Sequence, residues 1–157
     1  MNNSYPQFVK NIISALDAKI IHEKDKFIAL DVNGFQNIQI NYDRTIEFRN
    51  GDGFTISFDD SPVPPRIWWN TYAIAAHAMT GMEKNEALAF GEKIYTKAIT
   101  DKENESWLGI KNKLYVNCIA SKKQGGHVSI DVLFADRQDL SSWTKIGDDE
   151  YSYYEED

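Results

Sequence analysis

Apolar residues recur at helical spacing near the start of the chain. The members of this set are Phe8, Val9, Ile12, Ile13, Leu16 and Ile20. Residues three or four positions apart face the same side of a helix. The spacing therefore predicts a helix from about Tyr5 to Ala18, with its apolar stripe turned inward.

The period then changes from that of a helix to that of a strand. Apolar residues alternate with other residues from Phe27 to Val32 and from Phe35 to Tyr42, with Asn33-Gly34 between the two runs. Asn-Gly favours the type I′ turn of a hairpin, because both central positions of that turn need positive φ. Two shorter runs, through Ile46 and Phe48 and from Phe54 to Phe58, extend the pattern. Together they predict an antiparallel meander with one apolar and one wet face.

A proline-rich break follows, and then two helical patterns meet at a glycine. The segment from Pro62 to Ala98 has apolar positions at helical spacing on both sides of Thr80-Gly81. Gly81 is expected to end the first helix in the left-handed conformation. Gly91 lies inside the second helix, where glycine costs about 1 kcal/mol relative to Ala, and so predicts a close approach to a neighbour.

A brief strand is expected through Trp107, Leu108 and Ile110, and two further strands are predicted from Leu114 to Ala120 and from Val128 to Phe134. The whole pattern predicts an α+β fold. It consists of an N-terminal helix and an antiparallel sheet of about five or six strands, a meander plus a C-terminal hairpin, packed by a central helical hairpin. We expect a single domain over residues 1–147 and an acidic, tyrosine-rich tail over residues 148–157.

The composition is typical of a packed intracellular protein. Of the 157 residues, 42% are hydrophobic and 13% aromatic, which is enough for one core. The one cysteine, Cys118, cannot form an internal disulfide, and the N-terminus lacks the apolar run of a secretory signal. The expected location is therefore cytoplasmic, in a cell or an infected host.

The negative charge is concentrated at the C-terminus. The net charge is −7, and residues 148–157 contain six acidic side chains and no basic one. The rest of the chain is therefore nearly neutral. A protein that mimics DNA needs rows of negative charge along its body, so this distribution argues against DNA mimicry. A net negative protein without a long apolar segment is also not expected to bind nucleic acid directly or to enter a membrane.

Residue types that could carry chemistry do not form a recognisable motif. His127, Ser129 and Asp131 are the three residue types of a hydrolase catalytic triad. However, strand residues two apart are about 7 Å apart, and Ser rather than His lies in the middle. Cys118 shares a strand face with apolar residues and is expected to be a buried thiol. The three histidines are too scattered for a metal site, and the paired glycines lie in hairpin turns. We expect no catalytic residues, no metal and no cofactor.

Paired tryptophans and the tail are the candidate partner-binding elements. Consecutive helical residues such as Trp68 and Trp69 diverge by about 100°, so the pair is either widely buried or leaves one ring exposed as an anchor. The tail is either a solubilising end or a contact for Arg-rich or Lys-rich surfaces, which its carboxylates and tyrosines suit. Asp59, Asp60 and the tryptophan pair are expected to meet the tail on one surface. The predicted partner-binding residues are Asp59, Asp60, Trp68, Trp69, Asp148, Asp149, Glu150, Tyr151, Tyr153, Tyr154, Glu155, Glu156 and Asp157.

A small acidic chain without a catalytic motif is similar in general character to phage anti-CRISPR and anti-restriction proteins and to toxin immunity proteins. The resemblance is one of composition and size. It implies a non-catalytic inhibitor that docks an acidic aromatic surface on a basic partner protein, one that normally handles nucleic acid.

Two other functions remain open. The order of helix, strands, helices and strand hairpin resembles class I type III secretion chaperones, which implies an acidic homodimer that binds an unfolded effector segment. The chain differs from that family in its helical pair before the last hairpin. Alternatively, the protein is a small enzyme whose site forms only in three dimensions, from acids and bases such as Glu47, Asp59, Asp60, His77 and Asp131.

Overall fold

A computed structural model describes residues 3–46, 48–59, 64–101, 103–104, 106–121, 126–141, 143–145 and 147, and the backbone of residues 150–153. The helices are α1 (Gln7–Leu16), α2 (Arg66–Thr80) and α3 (Lys84–Thr100). The strands are β1 (Lys19–Lys24), β2 (Phe27–Val32), β3 (Phe35–Asn41), β4 (Thr45–Ile46), β5 (Arg49–Asn50), β6 (Gly53–Phe58), β7 (Ser106–Lys111), β8 (Leu114–Ser121), β9 (His127–Phe134), β10 (Trp143–Lys145) and β11 (Glu150–Tyr153). Within this part of the chain, none of the helices combines the length and apolar character needed to cross a membrane.

One antiparallel sheet organises the molecule. Its strand order is β1-β2-β3-β6-β9-β8-β7-β11-β10, and the short strands β4 and β5 form a separate hairpin. Seven strands of six to eight residues make up the body of the sheet, and β11 and β10 extend it beyond β7. The pairing of β6 with β9 joins the two halves of the chain, with Phe54 opposite Val132 and Phe58 opposite Val128.

The predicted helical hairpin packs on one face of this sheet, with α2 against β6 and α3 against β7 and β8. Gly81 ends α2 at φ 79° and donates its N–H to the carbonyl oxygen of His77 at 2.8 Å, which confirms its predicted capping role. The Glu83 side chain accepts the N–H of Glu86 at 2.9 Å and caps the start of α3. The N-terminal helix α1 packs on α2 in the same layer.

Gly91 is the point of closest approach between α2 and α3. A Cβ atom at this position would lie 2.5 Å from the Tyr72 ring. That ring is fully buried, and its hydroxyl donates to the carbonyl oxygen of Ala87 at 2.7 Å. The close approach predicted from the sequence is therefore present, and Tyr72 is the neighbour.

The main core lies between the helices and the sheet. Alternate residues of the strands point into it, and their side chains are buried: Ile28, Leu30, Ile38, Ile40, Phe54, Ile56, Val116, Cys118, Ile130 and Val132. A second, smaller cluster lies on the opposite face of the sheet, which we call the outer face. It contains Leu108, Tyr115, Leu133 and Ala135, with Leu140 and Trp143 packed against it. The C-terminal segment therefore covers part of the face predicted to be wet.

The α+β class and the arrangement of layers are confirmed, and two details of the strands differ from the prediction. The sheet has more strands than five or six, because β1, β11 and β10 were not predicted. In addition, β3 pairs directly with β6, so the run through Ile46 and Phe48 does not join the main sheet. The physical reason is that the Asp52 carboxylate accepts the N–H of Asp43 at 2.7 Å, which closes the base of the loop between β3 and β6.

Candidate protein-interaction surface

Part of the acidic tail belongs to the sheet. The backbone of β11 pairs antiparallel with β7, with Glu150 opposite Gly109 and Tyr151 opposite Leu108. Its other side pairs with β10, where Trp143 is opposite Tyr153. The remaining predicted tail residues, Asp148, Asp149, Tyr154, Glu155, Glu156 and Asp157, lie outside the described residues. The acidic segment is thus anchored at its middle by a strand.

The tryptophan pair is mainly a packing element. Trp68 is fully buried, and its ring lies 5.5 Å from that of Phe58 and 4.6 Å from that of Trp69. Trp69 is half-buried and also packs edge-on against Tyr72 and Tyr95. A partner cannot reach the Trp68 ring in this conformation, so a contact role is open only to Trp69.

Asp59 lies at the end of β6 and is exposed. Its carboxylate hydrogen-bonds to Nδ1 of His127 at the start of β9. Strands β9, β8 and β7 separate β6 from β11, and four strand spacings of about 4.8 Å amount to about 19 Å. The structure therefore does not place Asp59 beside the C-terminal strand, and Asp60 lies outside the described residues.

Phe48 is an exposed aromatic residue, whereas the sequence pattern predicted that its side chain faces the core. It lies at the tip of the β4–β5 hairpin (Thr45–Asn50), its side chain is fully exposed, and its φ is 66°. A positive φ is unusual for a bulky residue, because its Cβ crowds the backbone in the left-handed region. Exposure and backbone strain at one residue make Phe48 a candidate contact residue.

The base of this hairpin is firmly braced. Arg49 donates through Nη1 to the hydroxyl of Tyr115 at 2.9 Å. Asp52 accepts from Nη1 of Arg137 at 2.8 Å, and the carbonyl oxygen of Asn50 accepts from Nε2 of Gln138 at 3.0 Å. These bonds tie the hairpin to β8 and to the C-terminal segment, so the exposed ring is carried on a rigid support.

The hairpin and the C-terminal strand occupy the same part of the sheet. Tyr115, which Arg49 contacts, lies in β8, and β8 is two strands from β11. Two strand spacings are about 10 Å. The exposed Phe48 hairpin and the anchored acidic segment therefore share one side of the molecule, which we call the C-terminal surface.

A shallow cleft separates the hairpin from the outer face of the sheet. Its volume is about 90 Å³, and its lining includes Arg49, Thr55 and Asp131. The Thr55 hydroxyl donates to the Asp131 carboxylate at 2.6 Å. A space of this size is smaller than a typical substrate pocket.

The acids and bases named for an enzyme are dispersed. His127 contacts Asp59, whereas Asp131 contacts Thr55, so the three triad-like residues of β9 do not bond to one another in the described hydrogen bonds. Nδ1 of His77 lies 2.8 Å from the carbonyl oxygen of Met82. Glu47 lies outside the described residues, within which no group of three potential metal ligands occurs.

Cys118 is a buried thiol, as its strand pattern predicted. Burial raises the pKa of Cys118 to about 12, and the nearby charge of Asp131 acts in the same direction. A thiol with this pKa is protonated at neutral pH. The residue is therefore a packing side chain rather than a nucleophile.

The edge strand β1 is the second feature that the sequence did not reveal. All six of its residues are exposed, including Ile20 and Ile21. Adjacent isoleucines do not alternate, and the apolar spacing of the preceding helix extended to Ile20. The only available signal was the β-branched pair itself, which favours a strand over a helix.

Comparison of the chain with protein-family models, with curated proteins and with solved structures finds no match in any of the three.

Proposed function

We propose that this protein is a non-catalytic binding protein that docks its C-terminal surface on a basic partner protein. The observation that carries the proposal is the location of the charge. Six acidic residues and no basic one lie in residues 148–157, and the β11 strand within that segment is paired with the sheet. An anchored segment loses less conformational entropy on binding than a free tail does.

The Phe48 hairpin supports the same reading. Aromatic rings are frequent anchors at protein interfaces, where they fill a pocket on the partner while surrounding charges set orientation and association rate. Phe48 supplies such a ring, on the hairpin that Arg49 ties to β8, two strands from β11. A protein whose own surface handles nucleic acid offers the complementary basic charge, and blocking that surface is how an anti-CRISPR, anti-restriction or immunity-type inhibitor would act.

The test uses two variants with the same change in net charge. The first neutralises the tail outside β11: Asp148→Asn, Asp149→Asn, Glu155→Gln, Glu156→Gln and Asp157→Asn. The second neutralises five exposed acids of the body: Asp17→Asn, Asp25→Asn, Glu92→Gln, Glu103→Gln and Asp136→Asn. Each is used with the unmodified protein to recover partners from a host lysate, and Kd is then measured with the purified partner.

We expect the tail variant to bind about tenfold more weakly, because five exposed ion pairs at about 0.3 kcal/mol each give this factor. Its affinity should also depend less on salt between 50 and 300 mM, since fewer charges are screened. Equal effects of the tail and body variants would contradict the proposal. A recovered partner with an acidic surface would do so as well.

A further inference from the structure

Strand β1 leaves one edge of the sheet open. It is the first strand in the sheet order, and within the described residues it pairs only with β2. A terminal strand presents a row of backbone N–H and C=O groups to any extended chain that reaches it. With six residues, β1 is long enough to accept another strand.

The edge also exposes apolar side chains. Ile20 is 38% exposed and Ile21 is 48% exposed, and with Phe48 they are the large hydrophobic residues exposed in the described part of the chain. A bulge lies between Ile20 and His22. Natural sheets usually protect an edge with bulges and charges, and exposed isoleucines work against that protection.

The register of β1 on β2 shows which residues share a face. Lys19 is opposite Asp31, His22 opposite Ala29 and Lys24 opposite Phe27, and these three β1 residues lie on the outer face. Ile20 is opposite Leu30 and Glu23 opposite Ile28, on the helix face. The outer row of β1 therefore contains only basic residue types. Asp31 of β2 balances the charge of Lys19, whereas His22 and Lys24 lie opposite uncharged residues. The helix-side row begins with an isoleucine.

Glu23, the acidic residue of β1, does not add negative charge to the outer face. Its carboxylate accepts the hydroxyl of Tyr5 at 2.6 Å, and this contact holds it toward α1 on the helix side. The acidic tail is also remote: seven strand spacings separate β1 from β11, which is about 34 Å and several Debye lengths at physiological salt. An acidic chain at β1 is therefore not repelled by the tail.

A second copy of the protein is disfavoured at this edge. If two β1 strands pair antiparallel with matching faces, Lys19 of each copy lies opposite Lys24 of the other, and Ile20 lies opposite Glu23. Like charges directly opposite each other are destabilising. The edge therefore disfavours its own copy and fits a strand of opposite charge.

We propose that β1 is a docking strand for an extended peptide in which acidic residues alternate with apolar residues. The peptide adds a tenth strand to the sheet by backbone hydrogen bonds. Its acidic side chains lie over Lys19, His22 and Lys24 on the outer face. Its apolar side chains lie beside Ile20 on the helix face.

The experiment uses two synthetic probes, an acetylated and amidated (Glu-Val)4 peptide and the corresponding (Lys-Val)4 peptide, titrated into ¹⁵N-labelled full-length protein. We expect the acidic peptide to shift amide signals of residues 19–24 and their neighbours in β2. We expect the basic peptide to leave those signals unchanged. A (Glu-Val)4 analogue with proline at two central positions should bind at least about tenfold more weakly, because it lacks the backbone donors.

A charge-swapped variant tests the recognition. Lys19→Glu/Lys24→Glu should weaken binding of the acidic peptide at least about tenfold and allow binding of (Lys-Val)4, which also shows that the variant is folded. The matched control is Lys84→Glu/Lys113→Glu, two exposed lysines elsewhere. It should bind the acidic peptide as the unmodified protein does.

Three outcomes would overturn the proposal. The first is an absence of shifts in β1 at millimolar acidic peptide, which would mean that the lysines serve only to block the edge. The second is equal binding of the two peptides. The third is a set of shifts confined to another surface.

Discussion

At the scale of single residues, Phe48 combines two unfavourable features that the fold does not need. Its ring is fully exposed, and its backbone has a φ of 66°. The alternation of Ile46 and Phe48 predicted a buried position, because a period of two places both residues on one strand face. The prediction fails because the chain leaves the sheet at Asp43 and returns at Gly53.

We predict that Phe48→Asn leaves the free energy of unfolding unchanged or raises it by up to about 1 kcal/mol. Asn tolerates positive φ, and little buried area is lost with an exposed ring. Urea denaturation measures this change. Phe54→Ala is the control, since Phe54 is almost fully buried and its loss should cost about 3–5 kcal/mol. A loss above about 1 kcal/mol for Phe48→Asn would mean that the ring is packed in solution.

At the scale of elements, α2 and α3 were predictable because their apolar positions and their glycines follow local rules. Gly81 needs only its left-handed φ, and Gly91 needs only a neighbour too close for a side chain. Strand β1 was not predictable in this way, because an edge strand lacks the buried alternation that marks an internal one. Its partner β2, with alternating burial, was evident.

We predict that Gly91→Ala destabilises the protein by about 1–3 kcal/mol, although Ala has the higher helix propensity. The added methyl group would overlap the Tyr72 ring, which is fully buried and held by the hydrogen bond of its hydroxyl to the carbonyl oxygen of Ala87. Thermal and urea unfolding measure the effect. Glu92→Ala, on the exposed side of the same helix, should change stability by less than about 0.5 kcal/mol. Similar values for the two variants would show that the helices adjust.

At the scale of the whole molecule, the position of a residue along the chain did not indicate which other residues lie on the same surface. Asp59 and the tail were expected to meet, yet three strands lie between β6 and β11. Phe48 and the tail, about 100 residues apart in sequence, share a surface because Arg49 contacts Tyr115 and β8 lies near β11. Strand order depends on which distant strands pair, and local periodicity carries no information about that pairing.

We predict that removing residues 148–157 leaves a folded protein with an open edge at β7. The main core lies within the remaining residues, whereas β7 loses its β11 neighbour and β10 loses the strand with which it pairs. The β7 amide that bonds to β11, at Leu108 or Gly109, should exchange with solvent at least about tenfold faster, and the β7 amides that bond to β8 should stay protected. Unchanged exchange in β7 would mean that β11 is not paired in solution.

The pairing of β6 with β9 also has a consequence for how the protein folds. Phe58 and Val128 are neighbours in the sheet but are separated by two helices and two strands of chain. Apart from the pairing of β7 with β11, the strand pairs within each half of the sheet are close in sequence, whereas this junction requires a long loop to close. Late closure predicts that Ile56→Val, within the junction, accelerates unfolding and hardly changes the folding rate in stopped-flow measurements. Until that step, a growing chain carries two half-sheets with matching open edges, and a neighbouring copy of the same chain can pair with either of them.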